Sequence, residues 1–131
     1  MRTSVFLTAI LLAFAPAVSA GAERSVTVKI AAMNGTGESG IATFIAQGDK
    51  TLVVVDLTNA PGLRQPSHLH DGTCDDYSPA PAYPLADVVG GKSRTIVNER
   101  FEKIVSGRYI LNVHKSYDDI ATQAACSVVK G

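Results

Sequence analysis

Beyond its first twenty residues the chain nowhere sustains a helical period; its apolar residues come in short runs with a period of two, each cut off by glycine or proline. A segment that alternates in this way lays one face on a core and the other in water, which is the pattern of a half-buried strand. Ser25-Val26-Thr27-Val28-Lys29-Ile30 is the first such run. Asn34 to Gly40 follows with three glycines in seven positions, and glycine supplies the positive φ of tight connections. The spacing then predicts strands over 41–47, 51–58, 67–70, 85–89, 95–97, 108–114 and 124–129, with Gly48-Asp49-Lys50, Asn59-Ala60-Pro61-Gly62 and Gly90-Gly91 as turns. Between 71 and 84 it predicts a long irregular loop, because Pro79, Pro81 and Pro84 oppose any regular element. The segment 101–105 is compatible with one helical turn or with an irregular link. Seven or eight short strands with turns of this kind predict an all-β fold, an antiparallel sandwich or Greek-key β-barrel.

The first twenty residues stand apart. Met1-Arg2 is a short positive start, Val5 to Ala15 an apolar run, and Val18-Ser19-Ala20 the small residues a signal peptidase requires. They predict a cleaved signal peptide over 1–20 and an exported domain, secreted or periplasmic, over 21–131. The apolar run is too short to span a bilayer comfortably and no later segment is longer, so no membrane anchor is expected. Lys and Arg number 12 against 12 Asp and Glu, and removal of Arg2 leaves one net negative charge. With no basic cluster there is no footprint for nucleic acid or for an anionic membrane surface. A domain of roughly 110 residues buries one modest core, and exported domains of that size often add a disulfide.

His68-Leu69-His70 is the first group that could carry chemistry. Histidines two apart on a strand project from one face and can reach one metal, while Leu69 turns to the core; two surface histidines without a metal have the same spacing. His114 ends a strand before Lys115-Ser116-Tyr117-Asp118-Asp119, and if that strand neighbours 67–70 all three histidines of the chain converge. An all-histidine set favours copper or zinc over oxygen-seeking calcium or magnesium, and three ligands leave a coordination position open. Otherwise His114 is a strand-end histidine with a structural hydrogen bond. Cys74 and Cys126, the only cysteines, are most simply a disulfide in an exported chain. The alternative, Cys74 as a soft ligand, leaves Cys126 a free thiol. Asp118 and Asp119 follow His114 closely enough for one carboxylate to hold a liganding imidazole from behind, or they form a solvated acidic turn. Glu99, Arg100, Glu102 and Lys103 read as a solvated charged face, and the sequence offers Arg64 and Arg94 no evident partner. There is no phosphate-binding glycine loop and no nucleophile elbow, so nucleotide and hydrolase chemistry find no support.

Three blocks, taken together, resemble the copper/zinc superoxide dismutase family across most of 21–131. Asn34 to Gly40 with Ile41-Ala42-Thr43-Phe44 is similar to its opening hairpin. Pro66-Ser67-His68-Leu69-His70-Asp71-Gly72-Thr73-Cys74 is similar to its copper-binding strand and first disulfide cysteine. Asn112-Val113-His114-Lys115-Ser116-Tyr117-Asp118-Asp119-Ile120 with Ala125-Cys126-Ser127-Val128-Val129 is similar to its closing block. The resemblance implies a Greek-key barrel, one copper held by His68, His70 and His114, a Cys74–Cys126 disulfide, support of the metal site by Asp118, and superoxide as substrate.

The chain also departs from that pattern. The family adds a histidine bridging copper to zinc and further zinc ligands in a long loop, and no histidine remains here to supply them. The loop at 71–84 is the shortened counterpart, with Asp75, Asp76 and Tyr77 as side chains of ligating type in its middle. Zinc is therefore not expected. Gln123 stands where the family has its substrate-guiding arginine, so steering of an anion should be weak. Dismutation at a three-histidine copper site is the leading expectation, with superoxide or a copper donor or acceptor as partner. A non-catalytic copper carrier, store or sensor, or a metal-free binding module on the same barrel, are the alternatives. The oligomeric state is left open.

Overall fold

A computed structural model describes residues 13–17 and 21–131. Of the expected leader only 13–17 fall among them, exposed and without regular structure; the rest lies outside the described residues. Eight strands follow: β1 (Ser25–Ala32), β2 (Ser39–Gln47), β3 (Lys50–Thr58), β4 (Arg64–Asp71), β5 (Tyr83–Val89), β6 (Lys92–Val97), β7 (Ser106–His114) and β8 (Gln123–Lys130), with a single helical turn, α1 (Phe101–Ile104), before β7. Every neighbouring pair is antiparallel, and the order β1-β2-β3-β6-β5-β4-β7-β8 closes on itself through β1 and β8. Two connections leave the hairpin pattern. The link from β3 to β4 passes β6 and β5, and the link from β6 to β7 passes β5 and β4 at the opposite end. The result is a closed Greek-key barrel of the copper/zinc superoxide dismutase type.

Alternation fills the interior. Ile30, Phe44, Val53, Val55, Leu57, Leu69, Val88, Val97, Leu111, Val113 and Val129 turn inward from all eight strands, while their sequence neighbours face out or lie beneath loops. The α1 turn settles the open reading of 101–105: Phe101 and Ile104 are buried and pack toward β2, β3 and β7. At Gly40 the β2 backbone runs so close to the Asp56 carbonyl of β3 that no side chain fits.

Two prolines behave differently from expectation. Strand β4 begins at Arg64, not Ser67, and carries Pro66 where the β4–β5 register slips between Gln65 and Ser67. A bulge is where a sheet tolerates a residue without an N–H. Strand β5 likewise includes Pro84 near its start, opposite His68, so the irregular loop is confined to 72–82. Arg64 does have a partner, Asp87, at 3.0 Å. Among the described residues no helix is long and apolar enough to cross a membrane.

Candidate metal centre

The β4–β7 register decides which side chains meet. Ser67 pairs with Val113, His68 with Asn112, Leu69 with Leu111 and His70 with Ile110. Leu69, Leu111 and Val113 turn into the core, which sends His68, His70, Asn112 and His114 to the outer face. His114 therefore lies diagonal to His68, close enough for side-chain contact across the pair. Ring centroids are 5.4 Å apart for His68 and His70, 5.0 Å for His68 and His114, and 5.8 Å for His70 and His114. One nitrogen of each lies within 4.8 Å of the others. The three histidines form a group able to hold a metal ion.

Hydrogen bonds fix which nitrogens face inward. His70 Nδ1 donates to the Ser78 carbonyl at 2.8 Å, and His114 Nδ1 to the Ile120 carbonyl at 2.6 Å. A carbonyl only accepts, so both rings donate from Nδ1, which in a neutral imidazole leaves the lone pair on Nε2. His70 Nε2 is buried with no hydrogen-bond partner. An unsatisfied buried nitrogen is costly, and an ion at the centre of the group would satisfy it. His68 Nδ1 stands 3.0 Å from His114 Nε2 and donates its proton there, the proton that a metal would displace. The donor set thus fits a metal that accepts three imidazoles.

Burial and the neighbouring rings lower the pKa of His68 below its ordinary 6.5, with desolvation first and His114 and His70 next. His114 is lowered too, by desolvation most and by His70, against the raising effect of the Ile120 carbonyl. Groups whose folded pKa is depressed leave the unfolded chain to bind more protons once the pH falls below the unfolded value. The metal-free protein is therefore expected to keep its stability above 6.5 and to lose it as the pH drops from there through the lowered values. Melting temperature measured against pH checks this; a flat curve through that window would remove the burial argument.

The loop at 72–82 forms one wall. Gly72 has φ +127° and abuts the Asp76 backbone, where a side chain would collide. Thr73 N–H donates to the Asp76 carbonyl at 2.8 Å, Ser78 N–H to Asp71 at 2.8 Å and Ala82 N–H to Leu69 at 2.8 Å. Cys74 is bonded to Cys126 on β8, so neither sulfur is a ligand, and the Gln123 amide donates to the Cys74 carbonyl at 3.0 Å. The wall carries Tyr77 against His70, their centroids 4.9 Å apart. Asp75 and Asp76 are exposed.

The Asp118 carboxylate is exposed and makes no hydrogen bond to a histidine; backbone carbonyls of Ser78 and Ile120 do what it was expected to do. Asp118→Asn is therefore expected to change metal affinity by far less than the roughly 10–100-fold that loss of a supporting group costs. Titration with a competing chelator measures it, and a drop in that range would restore the carboxylate to the site.

Sequence reasoning passed over Gln65 and Glu38. The β4–β7 pairing ends at Ser67 and Val113, and the residue before Ser67 is Pro66, which has no N–H to give. The buried Gln65 amide donates to the His114 carbonyl at 3.3 Å and to the buried Glu38 carboxylate at 2.7 Å. A polar residue beside a strand proline was the available signal.

No family model, curated protein or solved structure matches this chain. The site's own geometry is three imidazoles, two of them held from behind by carbonyls, under a pocket lined also by Tyr77, Pro79, Pro81, Ile120 and Ala121.

Proposed function

We propose that this is an exported, single-copper protein related to the copper/zinc superoxide dismutases, and that it dismutates superoxide at His68, His70 and His114. The observation that carries the reading is the convergence of His70 Nε2, His114 Nε2 and His68 Nδ1 beneath an open pocket, with the first of these buried and unpartnered. Copper, when bound, supplies one-electron chemistry between two oxidation states, and a three-coordinate site leaves it a position for substrate. His68, His70 and His114 bind it as neutral donors; the Ser78 and Ile120 carbonyls orient two of the rings, and the loop at 72–82 keeps the site at the base of a pocket. The disulfide is compatible with export, since such bonds persist in oxidising compartments. Among the described residues the three histidines are the one group of His, Cys, Asp and Glu drawn together for a metal, which supports a single ion.

One observation favours the second reading, a copper carrier, store or sensor: no Lys or Arg lines the pocket, so no side chain there helps the metal to attract an anion. Superoxide consumption by the protein holding one equivalent of copper, freed of loose metal, separates the two. Turnover that disappears in His114→Ala is the expected result. Copper retained without turnover would leave the carrier, which must then release its metal to a competing acceptor.

A further inference from the structure

The pocket above the histidines is far larger than a diatomic anion requires. It encloses about 450 Å³, inside the ~300–1,000 Å³ typical of small-molecule sites, whereas a water takes about 30 Å³ of liquid volume. Its polar groups converge on one point, the imidazole nitrogens, and its remaining walls are Tyr77, Pro79, Pro81, Ile120 and Ala121, with no charged side chain among them. An anion entering would exchange water for apolar walls that offer it no charged side chain, leaving the metal alone to compensate. A neutral ring would gain by the burial of its faces and by edge contact with Tyr77. The walls are already in place: Tyr77 packs on His70, the disulfide anchors their loop, and two prolines contribute apolar surface without rotamers to freeze.

We propose that this pocket receives a neutral, flat aromatic molecule carrying one metal-ligating atom, its donor directed to the histidine-held metal and its ring against Tyr77, Pro79, Pro81 and Ile120. The inference rests on the metal site proposed above and adds the ligand class. The copper-loaded protein is titrated with imidazole, 4-phenylimidazole and azide, by calorimetry and by the paramagnetic spectrum of the metal, after its copper content has been measured. The two azoles present the same donor nitrogen, so their difference reports the walls. Binding of 4-phenylimidazole at least about tenfold tighter than imidazole is expected, with azide weaker than 4-phenylimidazole. The preference should shrink in Ile120→Ser, which keeps the carbonyl that holds His114, and in Tyr77→Ala. Equal affinities for the two azoles with copper fully held would overturn this inference alone. Failure of the wild-type protein to hold copper would overturn it together with the metal site.

Discussion

Replacement of His70 by alanine is expected to weaken copper binding by more than the roughly 100-fold that marks the upper end of losses from a merely supporting group. His70 is 2% exposed, the most enclosed of the three histidines, and its Nε2 has no partner other than what enters the group. Its removal leaves two nitrogens, His68 Nδ1 and His114 Nε2, which already satisfy each other at 3.0 Å and gain less from an ion. The variant should still fold. It gives up the bond to the Ser78 carbonyl and the Tyr77 contact, but Ser78 is exposed and its oxygen can turn to water. A cost of about 1–3 kcal/mol follows, against a total of about 5–15 kcal/mol for a domain. Chelator competition gives the affinity and thermal melting the stability. Undiminished copper affinity in a folded variant would remove His70 from the site and with it the proposed function.

The parts of this molecule that side-chain pattern controls were legible in its sequence. Val53 and Val55 face the core and Val54 does not, as alternation requires, and the two-residue spacing of His68 and His70 places both on the outer face while Leu69 fills the barrel. The approach of His114 depended on β7 pairing with β4, a long-range choice made by the Greek-key crossovers, so the motif could suggest it but not derive it. Backbone groups were invisible. The Ser78 and Ile120 carbonyls hold two rings, and nothing in the identity of serine or isoleucine announces that use. A carboxylate near a histidine in sequence is a visible partner for imidazole, yet Asp118 is exposed and bonds no histidine. Prolines misled in the opposite sense: Pro66 sits at a bulge and Pro84 near the start of β5, places where a missing N–H costs little, so both strands begin earlier than proline content suggested.

Exchange of Cys74 and Cys126 together for alanine is expected to lower stability by about 4 kcal/mol, the chain-entropy value for a closed loop of this size. The bond spans a sequence separation of 52 residues and joins the loop at 72–82 to the middle of β8, where Cys126 pairs with Asn112 of β7 and Ala31 of β1. In the unfolded chain it therefore restrains nearly half of the barrel. For a domain of this length the loss corresponds to roughly 15 °C in melting temperature. The effect should reach the metal as well, because the same loop supplies the Ser78 carbonyl that holds His70 and the Tyr77 ring that packs on it. Four backbone bonds, from Gly72, Thr73, Ser78 and Ala82, remain to shape the loop, so copper affinity should fall without vanishing, unlike in His70→Ala. That difference makes the pair of variants informative: one removes a donor from a folded barrel, the other loosens the donor's support and the barrel together. A double variant that melts at the wild-type temperature would show that closing the loop contributes nothing to stability. One that melts low yet binds copper at full strength would show that the remaining hydrogen bonds alone hold His70 in place.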